Sequence, residues 1–454
     1  MVQSTKILVP SGVLGLGFSE DALKEGLKRK PDIIAIDGGS TDSGPFYLGS
    51  GTSKYSYEIC EAEWQILMQA RNQNNIPLII GSCGTCGVNA GVDMMFEMTV
   101  KIAKRLGHSV KIARIYCERE LSEFMQAVDE SRITALEPAP DITQEALNKI
   151  THIVSSAGVE PIQEALLAGA DIILVGRATD TALIAALPLS NNANAGASWH
   201  AAKIAECGAF CSTNPSSGVI LVEIDMTGFT VEAMAQNAFC TPETVAAHML
   251  YENADPFLLT EPGGCLDVTE SSYQALDERR VRVQGSLWHE SESYTVKLEA
   301  AKLSGYQTTL LTIVREPHYV KNIDKWITKL SAICNEKIRQ SSLRSESSYE
   351  LDFRVIGKNA ALGELEFSVN MATELGVCVI ITAESQHHAD DIAMLVNPYL
   401  LHLPLSENEP MPTTAFPYSP ANSSRGAFYE FALNHTWRLE NPCDGFTLMI
   451  IDEV

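Results

Sequence analysis

The stretch PDIIAIDGGSTDSGPFYLGSG, residues 31–51, decides how the rest of the chain is read. Its first part, DIIAI, is apolar without polar alternation, as expected of a strand covered on both faces in a parallel sheet. Directly after it come two aspartates, five glycines and five hydroxyl side chains. Ligands of open α/β sheets collect at the carboxyl ends of strands, so this loop marks both the fold and the first place to look for a site.

Similar runs recur on either side. KILVP, PLIIG, VKIARIY, THIVSS and DIILVG alternate with helical stretches near residues 20–30, 60–72, 90–106 and 161–168. Parallel strands need crossover connections, so the alternation predicts a Rossmann-like α/β domain over residues 1–215, a parallel sheet covered by helices that carries the ligand loops. The stretch SNNANAGAS, residues 190–198, reads as a small-residue loop. Beyond it the strands GVILVEID, RRVRVQGS and SYTVKLEAAK are bounded by turn residues. From residue 306 the order is strand, helix, strand, strand, helix and, with GFTLMIIDE, a last strand. That is a ferredoxin-like βαββαβ order in an α+β domain of residues 216–454 with covering loops, and the Ser-rich QSSLRSESSYE lies in one connection.

Composition narrows the function classes. The 454 residues carry 57 acidic and 33 basic side chains, a net charge of -24. That balance argues against nucleic acid, whose phosphates need clustered Lys and Arg. No run approaches the ~20 apolar residues of a membrane helix, and the start MVQSTKILVPSGV lacks the regions of a signal peptide. Eleven cysteines scattered through the chain fit reduced thiols, and a cytoplasmic protein with no membrane partner is expected.

Three loops follow predicted strands. In the first, Asp37 and Asp42 can act as acid, base or metal ligand, Gly38 and Gly39 let backbone approach a ligand, and Ser40 and Thr41 offer hydroxyls. The same residues also suit a self-satisfying polar turn. The second, GSCGTCGVNAG at residues 81–91, opens a helix, so Ser82, Gly84 and Thr85 suit an anion, although glycines here equally serve helix-on-strand packing. Cys83 and Cys86 form a CxxC without a second ligand pair, since Cys207 and Cys211 are spaced more loosely; packing is their expected role, and no metal site is assigned. The third, VGRATDTAL at residues 175–183, presents Gly176 and Arg177, a fork suited to a carboxylate or phosphate. Asp180 follows as base or helix cap, and Arg177 could instead pair with a loop aspartate.

His200, Lys203 and Glu206 share one helix face, expected to be solvated. LLTEPGGCLD, residues 258–267, and the irregular stretch 412–435 with Arg425 and His435 read as covering segments. His387 and His388 begin a helix and are expected to be exposed.

Together, DGGSTDSGPFYLGSG, GSCGTCG, VGRATDTAL, KIAECGAF and AFPYSPANSSRGAFYEF resemble the acyclic terpene utilisation (AtuA) family from the first strand to near the end of the chain. The resemblance implies breakdown of branched terpenoid acids as CoA thioesters, and small residues where Cys83 and Cys86 stand. Some relatives carry a further ferredoxin-like domain at the C-terminus, and none appended is expected here. No catalytic assignment is carried over, so function rests on the loops.

Two classes of function follow. The first is a cofactor-independent lyase or hydratase on a small carboxylate or its CoA thioester, with Asp37, Asp42 and Asp180 as catalytic acids and bases and Arg177 holding a carboxylate. The N–H groups around Ser82–Thr85 would receive the developing oxyanion. A divalent cation such as Mg held by the aspartates is its main variant, and a double-bond isomerase would use the same groups. The second is a non-catalytic acyl-CoA or carboxylate-binding subunit. A homo-oligomer is compatible with either.

Overall fold

The computed structural model describes residues 4–341, 348–367 and 372–452, so most of the Ser-rich connection lies outside the described residues. The chain divides into two compact units, Met1–Lys302 with Phe431–Val454, and Leu303–Glu430.

In the first unit the elements run β1 (Thr5–Val9), α1 (Glu20–Lys28), β2 (Ile33–Ile36), α2 (Phe46–Ser50), α3 (Tyr57–Asn74), β3 (Leu78–Ile80), α4 (Asn89–Leu106) and β4 (Ile112–Tyr116). Next come α5 (Leu121–Asp129), β5 (Ile133–Ala135), α6 (Gln144–Lys149), β6 (Ile150–Ser155), α7 (Glu160–Leu167), β7 (Ile172–Val175), α8 (Asp180–Ser190), α9 (Ala195–Ala205), β8 (Ile220–Asp225) and β9 (Gly228–Ala233). They are followed by α10 (Pro242–His248), β10 (Leu258–Glu261), β11 (Gly264–Asp267), β12 (Ser272–Ala275), β13 (Arg280–Gln284), β14 (Leu287–Glu290) and β15 (Tyr294–Val314), whose first part belongs here.

A ten-stranded mixed sheet is ordered β12-β13-β9-β8-β1-β2-β3-β7-β4-β20, with β20 the terminal strand Thr447–Ile451. Pairing is parallel from β1 through β2, β3 and β7 to β4, and antiparallel outside that block. The parallel strands are the apolar runs: every residue of β2 and β7 is buried. The crossovers β1 to β2 to β3 to β4 advance toward one edge, and the return through β7 to β8 runs back. Right-handed crossovers therefore put α1, α3 and α4 on one face and α7 on the other, where α8 packs on α7 and α9 on α8.

Four sequence expectations change. THIVSS is β6, which pairs antiparallel with β15 and stands outside the parallel block. GFTLMIIDE is β20, which pairs with β4 in the first unit. Residues after 215 continue the first unit, because β8 and β9 extend its sheet. Most of the expected loop at residues 190–198 belongs to helix: the Ala197 N–H donates to Asn194 Oδ1 at 2.9 Å, capping α9.

The second unit contains the rest of β15, α11 (Pro317–Lys321), α12 (Ile323–Gln340), β16 (Tyr349–Ile356), β17 (Leu375–Ala383), α13 (Gln386–His402), β18 (Thr414–Ala415) and the start of β19 (Asn422–Leu439). Strands β16, β17, β15 and β19 are neighbours in that order. In β17 alternate residues Leu375, Val377, Val379, Ile381 and Ala383 are buried, and Trp326, Leu330, Ile392 and Val396 from α12 and α13 join the same core. No helix among the described residues is long and apolar enough to cross a membrane.

Candidate active site

Asp37 directly follows β2 and is 4 % exposed. Its Oδ2 accepts the Gly39 N–H at 2.9 Å, whereas Oδ1 is buried without a partner. Burial, then the charge of Asp180, push its carboxyl well above the usual range, against Arg177 and the amides of Gly39 and Gly38. Asp37 thus holds its proton more tightly than an exposed aspartate does.

The three loops reach this point by packing backbone on backbone. A Cβ on Gly38 would stand 2.7 Å from the carbonyl oxygens of Gly81 and Ser82, and one on Gly39 2.8 Å from Thr85 Cα. Gly176 meets the Gly87 carbonyl in the same way at 2.8 Å, and Gly84 meets Gly91 at 2.9 Å. Of these glycines, expected to approach a ligand, Gly38, Gly39 and Gly176 form the seams between the loops, and Gly84 closes the second loop on itself. Cys83 and Cys86 fill the same seam, each 0 % exposed, and burial raises both thiols, Cys86 to about 11.

Arg177 is 9 % exposed. Its Nε donates to Glu299 Oε2 at 2.8 Å, its Nη1 donates to Ser82 Oγ at 3.1 Å, and Nη1 lies 4.0 Å from Asp180 Oδ1. Thr41 Oγ1 donates to the other oxygen of Glu299 at 2.8 Å, and Lys297 Nζ is 3.1 Å from it. Burial works against the Glu299 charge, yet Arg177, Lys297 and these hydrogen bonds outweigh it and hold the carboxyl at about 2. Thr41 and Arg177, placed by the sequence among ligand-binding groups, are therefore engaged with Glu299, a strand residue that no local motif singled out, and Ser82 is engaged with Arg177.

In front of this network lies a cleft of 620 Å³, the size of a small-molecule site. Asp37, Ser40, Asp42, Thr85 and Asp180 of the expected residues line it, joined by Lys54, Tyr55, Glu206, Cys207 and Glu252. Asp42 accepts from Ser40 Oγ at 2.7 Å. Thr85 has φ 81, a backbone conformation costly for a β-branched residue, and its Oγ1 accepts the Lys54 N–H at 2.9 Å. Asp180, the first residue of α8, opens a third of its side chain to solvent; burial, with Asp42 and Glu252, raises its carboxyl against Arg177 and Lys203. A larger open groove of 1280 Å³ beside α1 contains Arg29, Glu232 and Arg279, but Arg29 is paired with Glu232 and Arg279 donates to backbone carbonyls.

Helix α9 departs from its expected solvated face. His200 is 0 % exposed, with Nδ1 at 2.7 Å from Ser286 Oγ and Nε2 at 3.2 Å from Tyr273 OH. Lys203 is also buried and pairs with Glu206. Burial, then the charges of Asp180 and Glu261, raise Glu206 to about 8 against Lys203. From the 258–267 hairpin Glu261 accepts from Thr181 Oγ1 at 2.7 Å. Arg425 and His435, from the expected covering stretch, are absent from the residues that line the cleft.

The family model described as acyclic terpene utilisation family protein AtuA matches residues 50–415. The chain belongs to the acyclic terpene utilisation family. No curated protein and no solved structure matches it. The AtuA match spans the loops at residues 81–91 and 175–183, together with Glu206 and Glu299, and begins after Asp37 and Asp42.

Proposed function

We propose that the cleft is the active site of a lyase or hydratase that adds or removes water on a small carboxylate, or on the acyl end of its CoA thioester, in the use of branched or terpenoid acids. The observation that carries this reading is Asp37: a nearly buried carboxyl with one unpaired oxygen, facing the same cleft as a second carboxyl, Asp180. Two carboxyls sharing a site push each other's proton affinities apart. Arg177 Nη1 at 4.0 Å favours the anion at Asp180, and Asp37 keeps its proton more tightly. Asp180 then serves as the base that removes the proton beside the carbonyl, and Asp37 as the acid that protonates the departing hydroxyl. Lys54 is the cationic side chain lining the cleft and would meet the substrate's carboxylate or carbonyl oxygen. A purely binding subunit has no use for a buried carboxyl whose hold on its proton is strengthened by a second carboxyl, which favours the enzyme. The eleven free cysteines support a cytoplasmic setting.

The test is loss of the conjugated enoyl absorbance when short branched enoyl thioesters, and the free acids, are mixed with the protein. Turnover that disappears in Asp37→Asn while the melting temperature is kept is expected. Parental turnover in that variant would remove Asp37 from the chemistry. Ligand-induced stabilisation without turnover would favour the binding subunit. As to fold type, the parallel block with intervening helices supports a Rossmann-like reading, and the neighbour order β16-β17-β15-β19 supports a ferredoxin-like one with β19 in place of β20.

A further inference from the structure

The carboxyl end of α9 holds a cluster that the acid–base reading does not use. A carboxylate oxygen of Glu206, the Cys207 Sγ and a ring nitrogen of His248, the last residue of α10, lie within 4.8 Å of one another. His248 is 5 % exposed, and its Nε2 has no hydrogen-bond partner. A buried ring nitrogen without a partner is a cost that folding alone does not explain. The backbone carbonyl of Lys203 accepts a hydrogen bond from the same ring. A carbonyl in that role fixes the tautomer of a metal-bound imidazole and leaves the opposite nitrogen as a lone-pair donor.

We propose that Glu206, Cys207 and His248 bind a divalent transition-metal ion, of which zinc is the best fit, with a remaining coordination position open to the cleft. Glu206 and Cys207 line that cleft, so the free position faces a bound ligand. Thiolate with imidazole selects zinc or its neighbours over magnesium and calcium, which take oxygen donors. Three protein ligands with one open position is the pattern of sites where the metal activates water or polarises a carbonyl. Lys203 occupies Oε1 of Glu206, which leaves Oε2 for the ion. Ligand atoms on one zinc stand about 3–4 Å apart, a separation that the three side chains reach with small rotations at most. The ion would take up the Cys207 thiolate, whose proton is released on binding.

The proposal does not depend on the acid–base reading, and its readout is metal binding rather than turnover. The full chain, stripped with a chelator, is titrated with Co²⁺ and followed by the thiolate-to-cobalt charge-transfer absorption. One equivalent should produce the band, zinc should abolish it, and Cys207→Ser should lack it while Cys265→Ser, outside the cleft, keeps it. Glu206→Gln and His248→Asn should each weaken cobalt binding at least about tenfold, the least that losing even an outer-shell partner costs. Zinc should raise the melting temperature of the parent and not of Cys207→Ser. If Cys207→Ser fails to fold, folded His248→Asn decides, because undiminished affinity there overturns the site. No band in the parent, or a band that survives in Cys207→Ser, also overturns it.

Discussion

Glu299→Gln removes one charge from the buried network and little else. Glutamine keeps the shape, its oxygen can still accept from Arg177 Nε, and its amide can donate to the rotated hydroxyl of Thr41, while the half-exposed Lys297 ammonium turns to solvent. What disappears is the attraction that holds the Glu299 carboxyl at about 2, against an ordinary value of 4.5. At about 1.4 kcal/mol for each tenfold change in proton affinity, that displacement corresponds to about 3 kcal/mol at neutral pH. The figure agrees with the cost of about 3–5 kcal/mol for removing one partner of a buried ion pair. The sign follows from a depressed carboxyl: its contribution is present above about pH 4.5 and fades as pH falls toward about 2. For a cooperative unit of about 330 residues the unfolding entropy is about 0.7 kcal/mol per kelvin, so the melting temperature should drop by about 4 °C at pH 7. Near pH 3 the gap between parent and variant should narrow to about 1 kcal/mol, because the parent has by then lost most of that contribution. Scanning calorimetry at the two pH values measures both quantities. A variant within about 0.5 kcal/mol of the parent at pH 7, or a gap that stays constant to pH 3, would show that the Arg177 pair is not a source of stability.

Asp37→Asn mimics the protonated carboxyl, so it should keep or raise the melting temperature at pH 8 while lowering turnover about 10²–10⁴-fold; a drop in both would mark a structural role. Gly87→Ala would set a Cβ 2.1 Å from the Arg177 backbone nitrogen at φ 71, and should cost about 3 kcal/mol or more and abolish ligand-induced stabilisation, checked by thermal denaturation with and without ligand. Burial lowers His200 to about 3, so the folded chain keeps it neutral and acidification below about pH 6.5 should erode stability by about 1.4 kcal/mol per pH unit. His200→Asn should flatten that slope in denaturant titrations between pH 6.5 and pH 4, and an unchanged slope would point to other groups.

The local pattern carried the parallel block. Runs such as DIIAI and DIILVG are apolar on both faces, and only a helix-covered strand tolerates that. It also placed Asp37, Ser40, Asp42, Thr85 and Asp180 in polar loops at strand ends, and these are the expected residues that line the cleft. Strand partners were not legible for THIVSS and GFTLMIIDE, because an apolar run reports burial and says nothing about which neighbour provides the hydrogen bonds; β6 found β15 and β20 found β4 across long separations. The glycines of the loops were ambiguous for a related reason. A glycine admits a close approach, and only the assembled loops show that the approaching group is another backbone. Spacing put Lys203 and Glu206 on one helix face, whereas the packing of α9 against α8 and the sheet decided that this face is buried rather than solvated. Glu299 gave no local signal at all. It lies 122 residues beyond Arg177 in a strand, and an ion pair of that separation exists only once the chain has folded around it.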